Sequence, residues 1–411
     1  MNDHAVIGEQ PQQASTSFAI ASIEAFHVVA RDRSYWNEFK QESRATSARH
    51  VLKPGWRAAY TRNFETAIVK VTLVDGTIGW GEATEPICPE VICRLAVHLI
   101  APFIGNQTFG HPGEAWGQAY ELQRVRGHVA GYFLHAMAAI DLALWDALGR
   151  RSGLALSAIL SRSPARVVPA YLSGIRRATL SDRLAVLSSL VADGLTAVKI
   201  FATSDTAETL AEIDALRAGV AGNWTIMVDA LWSYETVGDA ADARRSMGDR
   251  GVAWLECPLV PEDLDAHRQL AAGQGAPIAL GEHFFTHYQS QPWLEAGALS
   301  VFQPDMGRTG LSNGLDQAAL ARRHGVTVTP HMGSGSPVVQ AAALHFWAAT
   351  NPTLPCEYQL DLADVLPGVF NTAWTFSHGG FAVPGRPGLG VDVDEAALRA
   401  SSAESEIWQV S

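Results

Sequence analysis

No stretch of this 411-residue chain approaches the roughly 20 consecutive apolar residues that a membrane-spanning helix requires, which excludes a helical membrane protein. The opening residues, MNDHAVIGEQPQQASTS, lack the apolar core of a signal peptide, so the cytoplasm is the expected compartment. Cysteine is scarce. Cys88, Cys93, Cys257 and Cys356 make neither a CxxC pair nor a regular framework, and free thiols are expected rather than disulfides or structural zinc. Positive charge is also in short supply. A net charge of −12 disfavours nucleic acid and anionic membranes as partners, although a metal or a local basic cluster still lets an acidic protein bind small anions. What the chain does have is length and 47% hydrophobic residues, enough for a large core and a second domain.

Residues 1–16 are polar and carry nothing that offsets the entropy of ordering, so a disordered tail is expected there. Beyond them, FAIASIEAFHVVA and FETAIVKVTLVDGTIGWGEA alternate as strands do, and Asp75-Gly76 between β-branched runs signals a hairpin. The basic and aromatic stretch from Arg31 to Arg62 is too long for a simple connection and reads as a functional loop. Apolar residues then recur at three and four from Leu134 to Leu148, a helical period. After Arg166 short β-rich runs alternate with longer amphipathic segments, the pattern of parallel strands with crossover helices. The runs end near Ser173, Phe201, Asp229, Glu256, Glu282, Asp305, His331 and Glu357. That recurrence, about 25 to 30 residues, is one βα unit of a TIM barrel, and eight units close one. The resulting division is a cap over 17–165, a barrel over 166–365 and a segment over 366–411 that returns to the cap.

In a barrel these strand ends converge on the face where active sites sit. Asp229, Glu256 and Glu282 end three successive strands and supply hard oxygen donors, a set that favours Mg²⁺. The competing reading is that each acid caps the helix that follows it. Asp305 and His331 end the next two strands, where Asp305 can hold one ring nitrogen and leave the other for proton transfer; a lone His after Pro is otherwise structural. Glu357 can donate to a carboxylate oxygen acquiring charge if its pKa is raised, and Lys199 can bind the same carboxylate.

Taken together, GTIGWGE, AIDLALWDALGR, MVDA, WLECP, LGEH, QPDMGRTGL, TPHM and PGLGVDV resemble the enolase superfamily, and within it the mandelate racemase subgroup. The resemblance covers almost the whole chain. It implies an α+β capping domain built from both termini and a modified (β/α)₇β barrel, an even-numbered homo-oligomer, and a cap loop closing over the substrate. It also implies Mg²⁺ on Asp229, Glu256 and Glu282, an acid/base pair of His331 with Asp305, and assistance from Glu357.

The chain departs from that pattern in three places. Subgroup members commonly carry Lys-x-Lys at the end of the second barrel strand, the second Lys acting as a base opposite the His. Here Phe201 stands two residues after Lys199, on the same face, and transfers no proton. Racemisation needs groups on both faces, whereas β-elimination needs only one, so a dehydratase is expected over a racemase. Leu231 stands where many relatives have Asn, and Cys257 where a second Glu is usual. His283 either points into the pocket or packs behind the metal. The expected function is an acid-sugar dehydratase that takes an aldonate or aldarate to a 2-keto-3-deoxy acid. An epimerase using Lys199, a lactone cycloisomerase using the His331 pair alone, and a catalytically silent binding protein are the alternatives. His27, Arg57, Tyr60 and Arg62 are candidates to read the substrate hydroxyls, or are ordinary surface residues.

Overall fold

The structure is a computed structural model that describes residues 17–34, 44–45, 47–53, 58–202, 205–362, 365–372 and 374–410. The expected tail over 1–16 and Arg57 lie outside the described residues. The fold is mixed α/β and opens on the antiparallel strands β1 (Phe18–Ser34), β2 (Asn63–Leu73) and β3 (Ile78–Ala83). The expected hairpin joins β2 to β3, with Gly76 at φ +85°. Within the Arg31–Arg62 stretch, which the sequence reads as a loop, three short strands at Arg44–Ala45, His50–Lys53 and Ala58–Thr61 pair into a small antiparallel sheet.

Helix α1 (Tyr132–Ser152) is almost wholly buried. Its position follows from the alternation of β3. Gly79 and Gly81 turn their missing side chains toward α1, and a Cβ at Gly81 would lie 1.9 Å from the Ala139 carbonyl oxygen. Backbone therefore packs on backbone, while Trp80 and Glu82 face the other way. Asp146 of α1 is fully buried and accepts from Trp80 N (2.9 Å), Leu389 N (2.7 Å) and Arg150 Nε (2.8 Å). One carboxylate thus ties strand, helix and C-terminal segment together.

From residue 167 strands and helices alternate: β4 (Val167–Ser173), α2 (Leu180–Val191), β5 (Ala197–Phe201), α3 (Thr206–Gly219), β6 (Thr225–Asp229), α4 (Val237–Asp249), β7 (Leu255–Glu256), α5 (Leu264–Ala272) and β8 (Ile278–Leu280). They continue with α6 (His287–Glu295), β9 (Val301–Phe302), α7 (Met306–Arg323), β10 (Thr327–Val328), α8 (Pro337–Thr350) and β11 (Cys356–Tyr358). The ladder runs in parallel from β10 through β4 in chain order, and β11 pairs in parallel with β4. Among the described residues no backbone ladder joins β10 to β11. Three hydrogen bonds cross that gap instead: Thr329 Oγ1 to Pro355 O (2.8 Å), Met332 N to Glu357 Oε2 (2.7 Å) and Gln359 Nε2 to Met332 O (2.9 Å). Tyr171, Ala197, Met227, Trp254, Ala279 and Val301, from successive strands or the residues leading into them, form one buried cluster.

The C-terminal segment divides. Strand β12 (Gly380–Ala382) pairs antiparallel with β4, and β13 (Ser402–Gln409) returns to pair with β1. No described helix is long and apolar enough to cross a membrane.

The close approach of β3 to α1 predicts the effect of a single methyl. Gly81→Ala should lower unfolding free energy by about 3 kcal/mol, the upper range for an overpacked core. Gly117→Ala, whose added Cβ meets no atom within 4 Å, should change it by no more than about 1 kcal/mol, in the stabilising direction. Urea titrations compare the two, and equal midpoints for Gly81→Ala and the parent chain would contradict this packing.

Candidate active site

The strand ends bring Lys199, Asp229, Glu256, Glu282, Asp305, His331 and Glu357 into one contiguous cluster. Lys199 Nζ lies 2.6 Å from Glu256 Oε1, 3.1 Å from Glu357 Oε1 and 3.7 Å from Asp229 Oδ2. His331 Nδ1 donates to Asp305 Oδ2 at 2.7 Å, and its Nε2 faces Glu282 Oε2 at 2.7 Å and Glu357 Oε2 at 4.0 Å. Potential ligand atoms of Asp229, Glu256 and Cys257 all lie within 4.8 Å of one another, as do those of Glu256, Glu282 and His331. Glu256 is common to both groups.

Helix capping does not account for the three acids. The residues that cap α4, α5 and α6 are Thr236, Asp263 and Thr286, several residues beyond Asp229, Glu256 and Glu282. Asp305 does both jobs: its Oδ1 caps α7 through Gly307 N (2.8 Å) while its Oδ2 holds the imidazole. Glu256 is fixed by neighbours that carry no charge, Trp254 Nε1 (3.1 Å) and Gln303 Nε2 (2.9 Å) on Oε2. Arg308 donates to the Glu282 carbonyl oxygen at 2.7 Å. Sequence reasoning missed Trp254, Gln303 and Arg308, although the first stands in the WLECP run and the others flank Asp305 in QPDMGRTGL.

Burial raises the Asp229 pKa well above the ordinary carboxylate value, Glu256 and Glu282 push it further, and Lys199 opposes them. For Glu282, Asp305 and Glu357 burial also pushes upward, but His331, with Lys199 for Glu357, holds each below its usual value. Lys199 and His331 thus pull Glu357 in the direction opposite to the raised pKa that proton donation from it would need. The same pairs raise Lys199 and His331 well above their ordinary values although burial lowers both. Four buried carboxylates and the partly exposed Glu282 face Lys199, His331 and the more distant Arg308, 3.9 Å from Asp305, so negative charge is in excess.

This donor set fits a hard divalent cation. The acids offer oxygen, the excess charge is of the right sign, and the one soft donor is disarmed, because burial and the neighbouring Glu282 and Asp229 charges raise the Cys257 thiol well above its usual value. The backbone just beyond the acids is strained: Leu231, Trp232 and Cys257 have φ of 48°, 61° and 47°. Such outliers gather at functional sites.

Other candidates are placed elsewhere. His27 is buried, with Nε2 2.9 Å from Glu65, in a network completed by Arg49 and Glu90 that fastens the small sheet to β1 and β2. Its ring is committed to that network and does not join the carboxylate cluster. Arg62 is exposed. Tyr60, Phe201 and Leu231 pack against one apolar cluster built around Phe26, Phe64 and Trp80, and the Phe201 ring lies over Gly174. Both ring nitrogens of His283 are buried without a hydrogen-bond partner, its pKa falls to about 4 through burial, and it packs against Trp232, Phe284 and Trp293.

The model of the mandelate racemase / muconate lactonizing enzyme N-terminal domain matches residues 44–161, and that of the enolase C-terminal domain-like family matches residues 183–397. The chain is 32% identical over 348 residues to a D-galactarolactone cycloisomerase of Agrobacterium fabrum, covering 80% of this chain and 89% of that one. It is 29% identical to a D-galactonate dehydratase of Ralstonia pickettii, over 83% and 92% of the two chains. The crystal structure of an enolase superfamily member from Agrobacterium tumefaciens superposes with a TM-score of 0.87 at 27% identity, covering 96% of this chain and all of that one.

The charge imbalance predicts how stability responds to pH. A folded-state pKa raised above the unfolded value contributes stability below the unfolded pKa and loses it as pH rises through the folded one. In EDTA, Asp229→Asn should therefore melt higher than the parent by about 2 °C at pH 8, with the gain shrinking toward pH 5. Lys199→Met, which strands Glu256 and Glu357, should cost about 3 to 5 kcal/mol. A lower melting point for Asp229→Asn at pH 8 would contradict this balance of charges.

Proposed function

Because the chain belongs to the mandelate racemase / muconate lactonizing enzyme family of the enolase superfamily, we propose that it removes the proton α to the carboxylate of a sugar acid and expels an oxygen substituent from the next carbon. The observation that carries this reading is the His331–Asp305 pair, whose second ring nitrogen, Nε2, meets Glu282 of the three-acid cluster at 2.7 Å. We infer that Asp229, Glu256 and Glu282 hold one Mg²⁺, on the closed (β/α)₇β barrel that the side-chain bonds between β10 and β11 support. Held there, such an ion would offset the charge of the substrate carboxylate and lower the cost of the second negative charge that develops on it.

The protein groups do the rest. Asp305 holds the ring through Nδ1, and Nε2 would be free to take the α-proton once Glu282, whose charge raises the ring's pKa, turned to the ion. Lys199, pinned between Glu256 and Glu357, presents fixed positive charge to the carboxylate oxygens as their charge grows. The electron pair left on the α-carbon then forms a double bond to the β-carbon as the C–O bond breaks. His331 returns its proton to the departing hydroxide, giving water, and the enol tautomerises to a 2-keto-3-deoxy acid. Phe201 occupies the position two residues beyond Lys199 and carries no proton, which favours elimination over racemisation.

A second reading shares every step but the leaving group. In an aldaric acid lactone the oxygen β to the free carboxylate can be the ring oxygen, which departs as a carboxylate and needs no proton. The downward shift of Glu357 and the cycloisomerase relative favour this variant.

Proton NMR in D₂O with Mg²⁺, over a panel of aldonates, aldarates and their lactones, should show a 2-keto-3-deoxy product from an acid or ring opening of a lactone. His331→Asn should slow either by at least about 10³-fold, within the usual range for general acid–base catalysis. Deuterium entering the α-position with no loss or opening of the C–O bond would overturn the elimination in favour of epimerisation.

A further inference from the structure

The end of β3 reaches the proton-transfer pair from the cap. Thr84 Oγ1 donates to Asp305 Oδ1 at 3.2 Å, and Thr84 N donates to Gly307 O at 3.2 Å. Gly307 N donates to the same Oδ1 at 2.8 Å, while Oδ2 accepts from His331 Nδ1 at 2.7 Å. Thr84 and Asp305 are both nearly inaccessible, at 4% and 1% exposure, so water does not substitute for a lost donor. Two donors on Oδ1, one from the cap and one from the turn that opens α7, set the rotation of the carboxylate that presents Oδ2 to the ring.

Two residues earlier on the same face of the strand, Glu82 grips the segment that follows His331. It accepts from Ser336 N (2.9 Å), Ser336 Oγ (2.7 Å), Val339 N (3.2 Å) and Thr66 Oγ1 (2.8 Å). One cap strand thus supports both partners of the pair, which come from different strands of the parallel sheet.

We propose that Thr84 is a positioning residue for proton transfer, acting through its hydroxyl on Asp305 and thereby on the His331 ring. The inference rests on the reading of His331 as the base. It makes the orientation of the pair conditional on the seating of β3 against the parallel sheet. The competing role for Thr84 is packing alone, since its Cγ2 would lie 2.5 Å from a Cβ at Gly307 and 3.3 Å from one at Gly335.

Hydroxyl and methyl are separable. Thr84→Val keeps shape and removes the donor, whereas Thr84→Ser keeps the donor and removes the methyl. The proposal predicts that Thr84→Val lowers kcat about tenfold with KM changed by no more than about twofold, and that Thr84→Ser keeps kcat within about twofold of the parent. In ¹⁵N-histidine-labelled, metal-free protein, the Nδ1-bound proton of His331, assigned by its loss in His331→Asn, should move upfield in Thr84→Val and stay in place in Thr84→Ser. Packing alone predicts the reverse order of damage, and a parent-like Thr84→Val in both measurements would overturn the proposal. If the parent chain acts on no acid, the proposed function falls, while the NMR comparison still decides the role of Thr84.

Discussion

Lys199, buried to 1% and held between Glu256 and Glu357, is the contact on which the rest of the site depends. Gathering five carboxylates, four of them buried, at one end of a parallel sheet is unfavourable, because each loses solvation and repels the others. Lys199 and His331 offset part of that cost, and the strand ends on which they sit hold the acids too close together for the remainder to relax. A sequence selected for stability alone would place apolar residues here, as it does on the strands just below, where Tyr171, Met227 and Trp254 fill the interior. Violations of this kind are expected at functional sites. The left-handed backbone at Leu231, Trp232 and Cys257, immediately beyond two of the acids, belongs to the same pattern.

The cap is built into the chemistry as well as lying beside it. Close packing of Gly79 and Gly81 on α1 and the Asp146 hydrogen bonds fix β3, and β3 in turn delivers Glu82 and Thr84 to the segments around His331 and Asp305. On the other side, Arg49 bridges Glu65 and Glu90 and holds the small sheet of the Arg31–Arg62 stretch in place. A strand fixed like β3 serves a site that needs its groups held to within about half an ångström.

Much of this was legible in the sequence because it is periodic. Strand ends recur with the βα unit, and ionisable residues following apolar runs mark Asp229, Glu256, Glu282, Asp305, His331 and Glu357. The choice between capping and clustering for the first three was also within reach, since Thr236, Asp263 and Thr286 are the better caps and stand just downstream. What the sequence hid was relations between distant residues. Nothing local says that Thr84 meets Asp305, that Glu82 caps α8, or that His27 is spent on Glu65. Nor does composition give the direction of a pKa shift: Glu357 is held down because Lys199 and His331 are beside it, which only the fold decides. The Arg31–Arg62 stretch failed differently, for its strands are two to four residues long, too short for alternation to register.

The central claim is that the excess negative charge at the strand ends is a binding site for one divalent cation. Isothermal titration of EDTA-treated, dialysed protein with MgCl₂ tests it most directly. The account predicts saturable binding of one Mg²⁺ per chain, lost in Glu256→Gln, the residue shared by both ligand groups. Absence of saturable binding in the parent chain, or undiminished binding in Glu256→Gln, would contradict it.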